Sequence, residues 1–160
     1  MRLLERMARL SAIAGGLLLA GIAVITCASV AGRNLADMTL VGDFELSSAL
    51  CGLSIALFLP WCQLSGGNII VDFFTARAHP HTIAQLDRIG AWLVAMVMAA
   101  LAWRTGLGAA NAWTNHSASM LLGFPDWVVY AGMVPPMALT GLIALGQATG
   151  RVRTPLVITP

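Results

Sequence analysis

The groups through which this sequence could do chemistry are few and scattered. Its histidines are His79, His81 and His116, and its cysteines are Cys27, Cys51 and Cys62. A structural zinc site draws closely spaced pairs of Cys or His ligands from the chain, and no such spacing occurs here. His79 and His81 flank Pro80, but they are only two candidates for a site that takes three or four ligands. A haem-binding anchor needs histidines facing each other from spanning helices, whereas these three fall between the apolar runs. The cysteines lie inside those runs, where a thiol acts as a small apolar packing group. No nucleophile stands beside a base in a catalytic pattern. The sequence therefore predicts no catalytic residue, no cofactor, no metal and no enzyme activity.

What remains is charge, and there is little of it. Of 160 residues, 58% are hydrophobic and only 10% charged, and the mean hydropathy is +0.81. A soluble domain carries roughly 25% charged residues, because water must solvate its surface. A chain so poor in charge has lipid as the solvent for most of its surface. All nine basic residues are arginines, seven acids nearly balance them, and the formal net charge is +2. That is not the basic field a nucleic-acid partner requires.

The elements that position these residues follow from hydrophobic length. Spanning ~30 Å of hydrocarbon takes ~20 helical residues. Four runs are long enough: Leu10 to Gly32, Glu45 to Leu64, Ile89 to Ala110 and Trp127 to Ala148. The expected fold is an all-α integral membrane protein, one four-helix membrane domain over residues 1–160. Arg2, Arg6 and Arg9 before the first run resemble a signal peptide. The apolar core is longer than the ~7–15 residues of a secretory signal, so a retained helix is expected.

Between the second and third runs lies Gly66-Gly67-Asn68-Ile69-Ile70-Val71-Asp72-Phe73-Phe74-Thr75-Ala76-Arg77. Ile69, Ile70, Phe73 and Phe74 share one helical face, and Asn68, Asp72 and Ala76 share another. This pattern predicts a short amphipathic helix over 68–77, lying in the membrane interface. Thr82 and Gln85 form a capping-box pattern that starts the third helix at about Ile83. Orientation follows from the arginines. With a cytoplasmic N-terminus, Arg2, Arg6, Arg9, Arg77, Arg88, Arg151 and Arg153 lie inside, and only Arg33 and Arg104 lie outside. That bias predicts two cytoplasmic termini and puts the 68–77 segment on the cytoplasmic side. Trp61 and Trp92 then mark the inner interface, and Trp103, Trp113, Trp127 and Tyr130 the outer one.

A charge at a helix centre costs ~2.5–3.5 kcal/mol in the bilayer, so each one near a span is a candidate site. Arg33 closes the first run, Glu45 opens the second, and Arg104 is expected towards the outer end of the third, where it can snorkel. Arg33 and Glu45 are either solvated by headgroups or in contact with another helix or subunit. No acid or base is expected at mid-span. A secondary transporter holds substrate and ions near the midplane on broken, polar helices, so this chain is not expected to transport alone. Ala91, Ala95 and Ala99 on the third run, and Gly16 and Ala20 on the first, form small-residue faces that permit close helix approach. Pro60, Pro135 and Pro136 are expected to kink or locally break their helices.

Together these residues resemble the small four-helix membrane subunit of the tripartite ATP-independent periplasmic (TRAP) transporters. The similarity covers nearly the whole chain. It rests on an arginine closing the first helix (Arg33) and Glu45-Leu46 at the head of the second. The inner stretch Gly67-Asn68-Ile69-Ile70-Val71-Asp72 follows, then Pro125 and Trp127 opening the fourth helix, and a further proline at Pro135. There are departures. Many members have histidine where Asn68 stands, and a tryptophan and second acid where this chain has Gly42, Asp43 and Phe44.

The resemblance implies a scaffold in a sodium-coupled transporter of the bacterial inner membrane. Its partners would be membrane lipids, a large multi-helix transport subunit, and a periplasmic binding protein that delivers an organic-acid solute. Arg33, Glu45, Asn68, Asp72, Pro125 and Trp127 are the expected contact residues between helices or subunits. The rival readings are a membrane anchor for a respiratory enzyme and a small homo-oligomeric exporter.

Overall fold

The computed structural model describes residues 2–36, 42–66 and 80–150. Its elements are the helices α1 (Arg2–Ala36), α2 (Asp43–Ser65), α3 (Pro80–Thr114) and α4 (Asp126–Ala148). All four are long and apolar enough to cross a membrane. Each contains one apolar run, and α1 and α3 continue well past theirs, because the backbone hydrogen-bond ladder does not stop where the side chains become polar. α1 and α3 each have 35 residues, about 52 Å at 1.5 Å per residue, well beyond the hydrocarbon thickness.

The helix ends have local causes. Gly42 before α2 and Gly66 after it both take left-handed backbone angles, and the Gly66 N–H donates to the Cys62 carbonyl. α3 starts at Pro80, three residues ahead of the capping-box expectation. Proline suits the first helical turn because its fixed φ is helical and its missing N–H would have no partner there. The interfacial helix expected over 68–77, with Asn68, Asp72 and Arg77, lies outside the described residues, as does His79.

The helices pack in the order α1–α2–α4–α3. α3 packs most extensively on α4, α1 on α2, and α2 on α4. Among the described residues α3 meets neither α1 nor α2. α1 reaches α4 only near its start, where Ala8 joins Leu139 and Ile143 with Leu4 and Leu64 around them. The result is closer to a row than to a closed bundle. The two outer members are the least covered, with 11% of each apolar window buried against 28% in α4.

Small residues set the crossings. A Cβ on Gly15 would stand 3.1 Å from the Ser54 carbonyl oxygen and 3.1 Å from Leu57 Cβ, so α1 and α2 touch almost backbone to backbone. The close approach on α1 is therefore Gly15 rather than the expected Gly16–Ala20 pair, and Ala20 is exposed. On α3, Ala95 is buried and its carbonyl lies opposite Gly141 of α4, with Ala99 beside it. α2 and α4 interlock through Gly52 against Met133 and Gly132 against Leu53. Both run unbroken through Pro60, Pro135 and Pro136, so none of the three prolines breaks its helix. The Thr140 hydroxyl donates to the Pro136 carbonyl at 2.8 Å.

Register along α3 and α4 changes one expectation. The Thr105 hydroxyl lies 3.8 Å from Met137 Sδ, and Gly106 faces Val134. Met137 is the central residue of α4. Arg104, adjacent to Thr105, is therefore level with the middle of α4, although in α3 itself it stands ten residues before the end at Thr114. Among the described residues no carboxylate lies at that depth.

Candidate functional site

The polar residues of the spanning region gather at the end opposite the chain termini, the distal end, where α1 and α3 finish and α2 and α4 begin. There the Ser29 hydroxyl, buried at 1% exposure, donates to Asp43 Oδ2 at 2.5 Å. Arg33 approaches the same oxygen at 3.9 Å, with its side chain 58% exposed. Ser29 and Arg33 lie four residues apart, one helical turn, so both address the first residue of α2. Arg33 thus contacts α2 through Asp43, a residue the sequence marks only as a departure from the family pattern.

Glu45 turns the other way, towards the loop joining α3 to α4. Its carboxylate accepts the Leu121 N–H, at 3.3 Å from one oxygen and 3.2 Å from the other, and the Leu122 N–H at 3.4 Å. The Ser119 hydroxyl is buried on the same groove as Glu45 and has no hydrogen-bond partner among the described residues. The loop is built to offer these groups. Ser119 N–H donates to the Phe124 carbonyl, Gly123 N–H to Ser119, and Asp126 N–H to Ser117. Ala118 pairs with Pro125 in an isolated antiparallel bridge. Two positive φ angles, at His116 and Gly123, turn the chain at its corners.

Leu122 closes the cluster by sitting on Gly42. A Cβ at Gly42 would fall 2.5 Å from Leu122 Cγ, and the backbone there has φ +86°. Pro125 is the extended residue before α4. Trp127 in the first turn meets Trp113, near the end of α3, edge to face at 4.7 Å. Pro125 and Trp127 therefore serve the α3–α4 junction. A groove of about 380 Å³ opens between α2, α4 and the loop. Glu45, Ser48, Ser119, Asp126 and Tyr130 form its polar lining, among residues such as Leu46, Val129 and Met133.

At the proximal end a second polar pair spans α2 and α4. Gln63 Nε2 donates to Gln147 Oε1 at 2.7 Å, and Gln147 Nε2 donates to the Gln63 carbonyl at 2.9 Å. Sequence reading passes over this pair. Its only signal is two amides placed a few residues before their helices end. The described residues contain no group of three or more His, Cys, Asp or Glu placed to hold a metal ion.

The distal cluster, the proximal pair and most of the row of helices lie within one match. Residues 22–154 fit the family model described as tripartite ATP-independent periplasmic transporters, DctQ component. The chain belongs to the DctQ family. No curated protein and no solved structure matches it. The DctQ match takes in α2, α3, α4 and the distal part of α1, and so all of Ser29, Arg33, Asp43, Glu45, Pro125 and Trp127. The family is that of a transporter component rather than an enzyme. Asn68 and Asp72 of the DctQ pattern lie outside the described residues.

Proposed function

We propose that this chain is the scaffold subunit of a TRAP-type, sodium-coupled importer of an organic acid. It braces a large transport subunit that receives the solute from a periplasmic binding protein. The observation that carries this reading is the layout of the helices. α1–α2–α4–α3 form a row fastened at both ends, by Asp43 and Glu45 distally and by Gln63–Gln147 proximally. Mid-depth holds no carboxylate among the described residues. Ion and solute sites of secondary transporters are built from polar groups and broken helices at the midplane, whereas α2 and α4 are continuous. A stiff row with broad apolar faces suits bracing.

The arginine bias supports placing both termini in the cytoplasm and the distal cluster at the periplasmic side. On that reading Arg33, Glu45, Pro125 and Trp127 hold the periplasmic edge. Asn68 and Asp72 make their contacts from an interfacial helix on the cytoplasmic side.

The test is co-purification from membranes solubilised in a mild detergent, with a tag after Pro160 and the neighbouring proteins expressed. A stable complex with one large multi-helix membrane protein, whose solute uptake needs a sodium gradient, is the expected result. A chain that purifies only alone or with copies of itself would overturn the scaffold role. A haem absorbance band in the purified chain would point to a respiratory anchor instead.

A further inference from the structure

The one ionisable side chain that α3 carries deep in its span is Arg104, and it faces away from the other described helices. Trp113 and Trp92 stand at two levels of α3, 21 residues apart, about 31 Å by the helical rise and so about one hydrocarbon thickness. Arg104 lies nine residues from Trp113 and twelve from Trp92. Trp103, expected at the outer interface with Trp113, stands ten residues and so about 15 Å from it on the same helix, and the two cannot share one level. Trp113 is the one that meets Trp127 at the head of α4, and with that level as the interface the Arg104 Cα is about 13 Å below it, about twice the reach of the side chain. The contact to α4 fixes the depth independently, since Thr105 touches Met137 at the centre of α4.

No described residue neutralises it. The face of α3 against α4 is formed by Ala95, Met98, Thr105 and Gly106. Arg104 lies on the other side, with Leu93, Val97, Ala100, Leu107 and Asn111 at spacings of three and four. All six are exposed. Among the described residues the only ion pair is Arg33–Asp43, and Arg104 makes no hydrogen bond. A guanidinium at this depth needs anionic acceptors, because neither water nor headgroups reach it at low cost. α1, the other outer helix, has no arginine or acid between Arg9 and Arg33, so its exposed face is satisfied by lipid alone. The asymmetry singles out α3.

We infer that the Leu93–Asn111 face of α3 seats the large transport subunit, and that Arg104 pairs there with a carboxylate on a spanning helix of that subunit. This rests on the scaffold reading above. Ala100 at the centre of the face lets the partner helix approach closely. Arg104 then fixes the depth at which the two subunits meet, since a single buried pair is satisfied in one register only.

The experiment uses the full chain, tagged and co-expressed with the large subunit. Arg104→Leu is expected to lower the recovered large subunit about tenfold or more, as loss of one partner from a buried charge pair does. Arg104→Lys keeps the cation and is expected to retain most of it. A photo-crosslinking residue is also placed at Ala100 and, separately, at Leu17 on α1. This arm keeps the native Arg104 and does not depend on how the variant folds. A cross-link to the large subunit from position 100 and not from position 17 supports the inference. Full recovery with Arg104→Leu overturns it and leaves the arginine reaching for lipid phosphates. Cross-links from position 17 only, or only between copies of this chain, overturn it as well. A wild-type chain that recovers no large subunit refutes the scaffold reading itself, which distinguishes the two failures.

Discussion

Glu45, in the first turn of α2, accepts the backbone N–H of Leu121 at 3.2 Å across 76 positions of sequence. The same carboxylate takes the Leu122 N–H. One side chain thus holds a loop whose other described backbone hydrogen bonds run within itself or to the ends of α3 and α4. Two adjacent N–H groups converging on one carboxylate make a charge-assisted anchor, and its loss frees both donors at once.

Substitution at Glu45 is therefore expected to loosen the loop without unfolding the helices. Hydrogen–deuterium exchange is the measurement. With Glu45→Ala the Leu121 and Leu122 amides should exchange much faster, while Ser119, bonded to the Phe124 carbonyl, keeps most of its protection. Glu45→Gln retains an acceptor oxygen and should fall between the two. Unchanged exchange at Leu121 in Glu45→Ala would show that the carboxylate does not hold the loop.

Gly42 and Leu122 give a sharper test of the same junction. An alanine at position 42 meets two separate costs: a left-handed backbone at φ +86° and a Cβ 2.5 Å from Leu122 Cγ. The backbone term is about 1–2 kcal/mol. The steric term depends on how far Leu122 can withdraw, and its exposure of 46% leaves it some room. Gly42→Ala should lower the thermal midpoint in detergent, and Leu122→Ala in the same chain should recover only the steric part. Complete recovery would mean that the backbone angle costs nothing.

These contacts also mark what is legible in the sequence. Hydrophobic length is a local property, so four spanning helices can be read directly from runs such as Leu10–Gly32 and Trp127–Ala148. Depth is not local. Counted to the end of its apolar run at Ala110, Arg104 looks close to an interface. Its true level depends on the α3–α4 register, set by Gly141 against Ala95 and by Thr105 against Met137. Pairing is equally non-local. Arg33 and Glu45 stand out as charges at helix ends, but their partners, Asp43 and the Leu121–Leu122 amides, depend on how a turn and a distant loop fold over α2. The Gln63–Gln147 pair has no pattern to announce it, because either amide alone is an ordinary residue near a helix end.

Glycines in α1 should divide sharply by position. Gly15 lies against the α2 backbone, whereas Gly21 has nothing within 4 Å of an added Cβ. Gly15→Leu cannot be accommodated without moving α1 off Ser54 and Leu57, and it should lower the thermal midpoint by many degrees. Gly21→Ala should be neutral or slightly stabilising, since alanine is better in a helix interior by about 1 kcal/mol. Equal effects from comparable substitutions at the two sites would contradict the α1–α2 crossing.

The proximal amide pair can be weighed by a double-mutant cycle. Gln63 and Gln147 exchange two hydrogen bonds, one side chain to side chain at 2.7 Å and one side chain to backbone at 2.9 Å. Gln63 is 7% exposed, so water competes poorly for its side of the pair. Hydrogen bonds between spanning helices average about 0.6 kcal/mol and reach about 1.7. Gln63→Ala removes the first bond but leaves the backbone carbonyl free to accept the second, while Gln147→Ala removes both. Gln147→Ala should therefore be the more destabilising in reversible unfolding in mixed micelles. The coupling between the two substitutions should be about 0.5–1 kcal/mol, reporting the side-chain bond alone. A coupling of zero would mean that the amides are solvated separately, and that α2 and α4 are held at this end by packing around Leu64 and Ile143 rather than by the pair.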